Sequence, residues 1–291
     1  MTASAAEPRR RPDLDVGDRI TPDLTAVRLL GGGSAFEAWL AFDELTHLPV
    51  VVKVLRPDLR SNAVAREALA REVRALAEIN HPVVVRGLRH DLEGERPHVV
   101  LENIDGPRLS TLVRRYGPLQ PQQYLTLGID LAAALHYLGR TGWVHLDVKP
   151  SNIIMGAPAR LIDLSVARRA TDAAALTTPV GTDPWMAPEQ CAPREWAVPG
   201  AASDVWALGA TLHTAISGTR PFPDASPENR FPQLALAPTR LDARVPAPVR
   251  EVVEACLALR CEDRPQAAEI ADALEPVLAA QPVGQLTYRV R

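Results

Sequence analysis

The period of the hydrophobic pattern changes about a third of the way along the chain, and this change constrains the fold most. Between residues 20 and 54 the apolar residues follow strand-like patterns, which the triplet Gly31-Gly32-Gly33 interrupts. Beyond Gly106 the apolar residues recur at helical spacing. The clearest helical stripe consists of Tyr124, Leu127, Leu131, Leu135 and Leu138. A strand-rich part followed by a helix-rich part favours two lobes over one mixed sheet.

The domain boundaries are predicted from the same change. Residues 1–15 are small, charged and proline-bearing, and we expect a disordered tail there. We expect a first lobe over 16–104, a second lobe over 105–280 and a loose C-terminal tail over 281–291. The predicted elements are a helix over 62–79, strands over 83–88 and 98–101, and helices near 204–217, 248–259 and 266–279.

Composition narrows the class of protein. The chain has 291 residues, of which 46% are hydrophobic, and its formal net charge is -3, so nothing draws it to nucleic acid or to an anionic membrane. Its three cysteines are odd in number and lack metal-ligand spacing. We find no signal peptide and no apolar run long enough to span a bilayer, and we therefore expect a soluble, cytoplasmic protein.

Lysine is almost absent from this chain. Of 32 cationic residues only Lys53 and Lys149 are lysines, and arginine serves at every other position. Codon bias and chance are one explanation. A physical explanation is that both positions need a compact ammonium group rather than the broad, planar guanidinium of arginine. Sites of that kind commonly handle a phosphate or a proton.

Both lysines lie in segments that resemble motifs of one family. Lys53 ends the apolar run Val50-Val51-Val52, shortly after the glycine-rich segment that begins at Leu30. Lys149 lies in His145-Leu146-Asp147-Val148-Lys149-Pro150-Ser151-Asn152. With Leu161-Ile162-Asp163-Leu164-Ser165 and the segment 181–189, these residues resemble the motifs of bacterial eukaryotic-like (Hanks-type) serine/threonine protein kinases.

The resemblance runs from about residue 16 to about residue 278 and implies a fold. That fold is the α+β, bilobal protein kinase fold, with a small antiparallel β-sheet N-lobe that carries one helix and a larger α-helical C-lobe. Residues 16–104 would be the N-lobe and hinge.

The resemblance also implies how ATP would be bound. Lys53 would hold the α- and β-phosphates, and Glu72 on the predicted helix would orient its ammonium group. Glu67 and Glu78 fit a solvated helix face better than Glu72 does. The remaining nucleotide contacts would come from the backbone of the glycine-rich loop, from the pocket wall and from the hinge: Gly31, Gly33, Val51, Leu101, Glu102 and Ile104.

The implied catalytic residues follow in the order of the family motifs. Asp147 would accept or orient the proton of the attacking hydroxyl, and Lys149 would neutralise charge on the transferring phosphoryl group. Asn152 and Asp163 would bind Mg²⁺, for which Mn²⁺ is the alternative. Thr182 would shape the hydroxyl pocket.

Two further motif residues would have structural roles. Glu189 would form a buried ion pair with Arg264. Asp204 would brace the backbone of the catalytic loop.

Four places depart from the family pattern. Phe36 stands at the third glycine, so we expect the loop to close less tightly, and Val51 replaces an alanine. Leu146 stands where an arginine is usual, and Leu164-Ser165 replaces Phe-Gly. Because that arginine commonly binds an activation-loop phosphate, we expect activity without phosphorylation of that loop. Thr177 and Thr178 would then be autophosphorylation sites but not switches.

Three functions compete at this point. The first is a kinase that transfers the γ-phosphoryl group of ATP to a serine or threonine of a protein substrate. The second is a pseudokinase that acts as a nucleotide-binding scaffold, and the third is a small-molecule phosphotransferase. The segment Ala187-Pro188-Glu189 and Arg264 favour a protein substrate over a small one. The resemblance also suggests a homodimer.

Overall fold

The computed structural model describes residues 13–33 and 35–282, which form two compact units. The first unit comprises residues 13–78 and 86–103, and the second comprises residues 79–85 and 104–282. Most of the two predicted tails lies outside the described residues, namely 1–12 and 283–291. Within the described ranges, no helix combines the length and the apolar character needed to cross a bilayer.

The first unit is an antiparallel sheet of six strands with one α-helix among its described residues. The strand order is β1-β2-β3-β4-β6-β5. The strands are β1 (Arg19–Thr21), β2 (Leu24–Gly32), β3 (Phe36–Asp43), β4 (Leu48–Leu55), β5 (Gly87–Asp91) and β6 (His98–Glu102), and the helix is α1 (Ala63–Glu78).

One face of this sheet forms the core of the first unit. Burial alternates along β3, where Trp39 and Ala41 lie on the buried face, and this face continues onto β4 through Val50, Val52 and Val54. Since successive residues of a strand point to opposite faces, the other face of β3 and β4 is half-buried and carries different residues.

Residues 13–15 differ from the tail that we predicted for 1–15. Leu14 is buried in the same core cluster, and the N–H of Asp13 donates to Oε1 of Glu37 at 3.3 Å. Nη2 of Arg60 donates to Oδ2 of Asp13 at 2.9 Å. A single leucine in a polar segment gives no periodic signal, yet the sheet leaves room for it in the core.

The second unit is mostly helical. Its helices are α2 (Leu109–Tyr116), α3 (Pro121–Arg140), α4 (Ala170–Ala174), α5 (Pro188–Cys191), α6 (Ala201–Ser217), α7 (Ala247–Cys256) and α8 (Ala267–Ala279). Two short antiparallel pairs accompany them: β7 (Trp143–Val144) with β10 (Arg168–Arg169), and β8 (Ile153–Ile154) with β9 (Arg160–Leu161). Together with the sheet of the first unit, these elements confirm the α+β class.

Helices α3 and α6 form the centre of the second unit. The predicted stripe of α3 is buried in full, and α3 packs against α6 and α8. Gly128 permits the close approach of α8, because a Cβ atom there would lie 2.6 Å from Cδ1 of Leu274. Helix α6 is buried at every residue from 203 to 216, as expected for a helix in a protein core.

The prediction of one strand over residues 83–88 is wrong. Residues 79–85 belong to the second unit, and β5 begins only at Gly87. The N–H of Val85 donates to the carbonyl of Leu161 at 2.9 Å, and the N–H of Leu161 donates to the carbonyl of Val83 at 2.6 Å. The apolar run over 83–88 therefore divides between the two units.

A buried ion pair joins α5 to the segment before α8. Nη1 and Nη2 of Arg264 donate to the two carboxylate oxygens of Glu189 at 2.7 and 3.0 Å. The other donors of the guanidinium reach the carbonyls of Ala202, Ala258 and Leu259, so all five N–H groups are satisfied. Burial raises the pKa of Glu189, but the hydrogen bonds and the charge of Arg264 outweigh it and hold that pKa below its usual value.

We expect Arg264→Met to lower the free energy of unfolding by about 3–5 kcal/mol, because it leaves the Glu189 carboxylate buried without its partner. Chemical denaturation measures this loss. Arg260→Met is the matched control, since the Arg260–Glu262 pair is exposed and its loss should leave the free energy of unfolding nearly unchanged. Equal losses in the two variants would contradict the structural role of Arg264.

Candidate active site

The half-buried face of the first unit carries most of the residues predicted to bind ATP. Val51 pairs with Leu101 across β4 and β6, and Lys53 pairs with Ala38 across β4 and β3. Directly paired residues point to the same face, and so do residues two apart along a strand. Val51, Lys53 and Leu101 therefore share one face, and Gly31 lies opposite Ala38 at its edge.

The other predicted nucleotide contacts lie at the ends of strands or beyond them. Gly33 follows β2, and its carbonyl accepts from Nε of Arg56 at 3.0 Å. Glu102 ends β6, and its carboxylate accepts the N–H of Arg86 at 2.8 Å. Ile104 belongs to the second unit.

Lys53 and Glu72 form an ion pair within the first unit. Nζ of Lys53 lies 2.8 and 3.0 Å from the two carboxylate oxygens of Glu72. Glu72 is only 1% exposed because it lies in the buried stripe of α1, and a buried carboxylate requires a partner. Glu67 and Glu78 are exposed, and the hydrogen bond from Arg74 lowers the pKa of Glu67.

Asp147 is the centre of a hydrogen-bonded group in the second unit. Its Oδ1 accepts from the hydroxyl of Thr182 at 2.6 Å. Its Oδ2 accepts from Nζ of Lys149 at 2.7 Å and from Nδ2 of Asn152 at 3.0 Å. Nζ of Lys149 also donates to Oγ1 of Thr182 at 2.5 Å. A carboxylate, an ammonium group and a hydroxyl thus meet at one place.

The backbone before Asp147 is held by Asp204, in the first turn of α6. The N–H groups of His145 and Leu146 donate to the two oxygens of Asp204, each at 2.7 Å. These bonds support the left-handed backbone of Leu146, whose φ of 64° costs a leucine roughly 1–2 kcal/mol. Burial raises the pKa of Asp204 to about 7, although the two backbone bonds lower it.

His145 positions Asp147 from within the core. Its side chain is fully buried, and its Nδ1 accepts the N–H of Asp147 at 3.2 Å. Burial lowers the pKa of His145, so the ring is neutral and carries its proton on Nε2. The orientation of Asp147 therefore depends on a side chain that our sequence analysis did not single out.

Gln190 is a second residue that sequence reasoning missed. Its Nε2 donates to the carbonyls of Leu146 and Val180 at 2.9 and 2.8 Å, and so joins the loop before Asp147 to the segment before Thr182. Gly181 makes this approach possible, because a Cβ atom there would lie 2.8 Å from the carbonyl oxygen of Leu146. The signal in the sequence was the glycine next to Thr182.

Asn152 and Asp163 come from neighbouring segments of the second unit. The N–H of Ile162, just before Asp163, donates to the carbonyl of Asn152 at 2.8 Å. The donor set is one carboxylate and one amide oxygen, which suits Mg²⁺, since Mg²⁺ takes few protein ligands and relies on water and phosphate. The described residues contain no group of three or more His, Cys, Asp or Glu that could hold a metal.

Leu146 lies in an apolar cluster with side chains of residues 163–189, the activation segment that the resemblance implies. It is 2% exposed and packs with Val144 and Ala173, and three half-buried side chains lie against this group: Val166, Leu176 and Val180. Thr177 and Thr178 are exposed and directly follow Leu176. The position at which the family usually has an arginine therefore holds the activation segment by apolar contact.

Comparison with known proteins assigns the family. The protein kinase domain model matches residues 24–274. The chain is 35% identical over 208 residues to the serine/threonine-protein kinase PknB of Mycobacterium leprae. The aligned region covers 68% of this chain and 33% of that protein.

Relatives from other bacteria carry similar names. The serine/threonine-protein kinase pkn2 of Myxococcus xanthus is 32% identical over 265 residues, which is 85% of this chain and 31% of the relative. The serine/threonine-protein kinase PkaA of Streptomyces coelicolor is 34% identical over 236 residues, 78% of this chain and 43% of the relative. The chain thus spans between 31% and 43% of the length of these three relatives. The predicted resemblance to bacterial serine/threonine protein kinases is confirmed, and the chain belongs to the protein kinase domain family.

Proposed function

We propose that this chain is an ATP-dependent serine/threonine protein kinase, which transfers the γ-phosphoryl group of ATP to a hydroxyl group of a protein. The observation that carries the proposal is the group around Asp147, where one carboxylate already accepts a hydrogen bond from an alcohol and from an ammonium group. The relatives named serine/threonine-protein kinase, which are 32–35% identical, support the same activity.

Asp147 would orient the attacking hydroxyl and accept its proton. Its Oδ1 binds the hydroxyl of Thr182 at 2.6 Å, so an alcohol oxygen fits at hydrogen-bond distance. Lys149 lies 2.7 Å from the same carboxylate and would place positive charge where the transferring phosphoryl group becomes more negative. Thr182 would fix both groups, since its hydroxyl contacts each of them.

Lys53 would bind the α- and β-phosphates of ATP, with Glu72 fixing the direction of its ammonium group. The face that carries Val51, Lys53 and Leu101 would receive the nucleotide, the backbone of Gly31 and Gly33 would approach the phosphates, and Glu102 and Ile104 would meet adenine. The carboxylate of Glu72 is nearly inaccessible to water, which strengthens its attraction for Lys53.

Asn152 and Asp163 would hold the divalent metal. Bound Mg²⁺ would neutralise phosphate charge and orient the γ-phosphoryl group. Mn²⁺ accepts the same oxygen ligands and is the second metal to test. Hydrogen bonds orient the amide group of Asn152, because its Nδ2 donates to the carbonyl and the carboxylate of Asp147. The amide oxygen is therefore directed away from that carboxylate.

The two alternative functions receive less support. A pseudokinase scaffold would not need the ordered group at Asp147, and Lys53, Glu72, Asn152 and Asp163 are all present. A small-molecule phosphotransferase would not need the segment before α5, which the Glu189–Arg264 pair supports. The homodimer and the cytoplasmic location stay predictions, as do the lobe boundaries.

The direct test is Asp147→Asn, which keeps the shape of the side chain and removes its charge. We expect ³²P transfer from ATP, to itself or to a generic basic protein, to fall by about 10²–10⁴-fold. Asp172→Asn, an exposed change on α4, is the control and should leave the rate unchanged. Retained transfer in Asp147→Asn would refute the kinase assignment.

Lys53→Arg tests whether the site requires the ammonium group. The charge is kept, but the broader guanidinium cannot take the same position between Glu72 and the phosphates, and we expect transfer to fall about 100-fold or more. Arg74→Lys, on the exposed side of α1, is the control, because exchanging arginine and lysine there should leave the rate of transfer unchanged. Near-normal turnover of a folded Lys53→Arg protein would show that arginine suffices.

The apolar cluster at Leu146 bears on regulation. Because Leu176 and Val180 already pack against it, the segment has an anchor that needs no phosphate. We expect the double variant Thr177→Ala/Thr178→Ala to keep its initial rate within about tenfold, or ~1.4 kcal/mol of barrier. Thr182→Ala is the matched control in the same segment and should lose activity. A larger drop in the double variant would indicate a phosphorylation switch.

A further inference from the structure

Phe36 occupies a position next to Lys53 on the half-buried face of the sheet. In the β3–β4 ladder Phe36 pairs with Leu55 and Ala38 pairs with Lys53, so Phe36 and Lys53 are diagonal neighbours on one face. Nζ of Lys53 lies 5.1 Å from the centroid of the Phe36 ring. The residue at the third glycine of the loop thus places an aromatic face against the ammonium group proposed to bind phosphate.

The backbone around Phe36 is fixed on both sides. The N–H of Arg56 donates to the carbonyl of Ala35 at 3.0 Å, and Nη1 of Arg56 donates to the buried carboxylate of Glu37 at 3.1 Å. The carbonyl of Phe36 accepts the N–H of Gly33 at 2.9 Å. The side chains of Arg56 and Glu37 are 10% and 3% exposed, so this support is largely shielded from water. These bonds therefore fix the backbone from which the Phe36 ring extends.

An aromatic ring and a phosphate compete for the same cation. The negative face of the ring is attracted to an ammonium group, and more strongly where water is excluded. A phosphate oxygen bound to Lys53 would neutralise the charge that attracts the ring. It would also need access to the side of the ammonium group that the ring partly covers. Binding of phosphate at Lys53 and contact with Phe36 should therefore oppose each other.

We infer that Phe36 sets the affinity of this chain for the phosphates of its nucleotide, as a residue that lowers ATP binding at Lys53. The inference rests on the proposed function, in which Lys53 binds the phosphates of ATP. It goes beyond that function because it assigns a specificity role to a side chain that departs from the family pattern. The effect depends on phosphate, so ligands without phosphates should not sense Phe36.

The test compares ATP and adenosine, by isothermal titration calorimetry with Mg²⁺ present. Phe36→Leu keeps an apolar side chain of similar size and removes the aromatic face. We expect its Kd for ATP to fall about threefold, with the Kd for adenosine unchanged. Phe36→Gly also lets the backbone approach the phosphates, and we expect a larger fall in the Kd for ATP, about tenfold.

Phe42→Leu is the matched control, since Phe42 lies on the same face of β3 at its far end, where its ring contacts His47. It should change neither Kd. An ATP affinity in Phe36→Leu that equals the wild-type value or falls below it would overturn the inference, as would an equal gain for adenosine. A wild-type chain that binds adenosine and ATP equally well would instead contradict the proposed role of Lys53, so the two failures are distinguishable.

Discussion

The buried carboxylate of Asp204 supports the backbone from which the candidate active site is built. It accepts two backbone N–H groups from the residues directly before Asp147, and one of them, Leu146, has a backbone conformation that leucine rarely adopts. These bonds offset the cost of that conformation, and the contacts of His145 and Gln190 restrain the same loop. A helix in the core thus supports the backbone that carries the carboxylate of Asp147.

The two kinds of cation in this chain serve different purposes. Arg264 uses all of its donors on protein acceptors, and its guanidinium lies 5.0 Å from the ring of Trp206. Such a group holds segments together and has no capacity left for a ligand. Nζ of Lys149 donates to Asp147 and Thr182, the groups expected to meet the substrate hydroxyl. A compact ammonium group on a flexible stem suits a site whose contacts change during a reaction. A planar guanidinium with fixed donors suits a site whose contacts stay the same.

The sequence was most informative where a pattern is periodic or a motif has fixed spacing. The stripe of α3 is one example, and the order of Lys53, Glu72, Asp147, Asn152 and Asp163 is another. It was least informative where a contact depends on a distant partner. The run over 83–88 reads as one strand, but residues 83–85 bond to Leu161, which is far along the chain. Leu14 is a single apolar residue in a largely polar segment. Gln190 itself stands in no motif that predicts its two acceptors, which come from separate loops, and only the nearby Gly181 hints at the close approach.

The scarcity of lysine has a chemical consequence. An acyl group attached to a lysine side chain removes its positive charge. Here the chain has two lysine side chains, and both are held in ion pairs among the residues proposed for catalysis. In this protein, acylation of either lysine side chain would remove a charge that the proposed function assigns to phosphate.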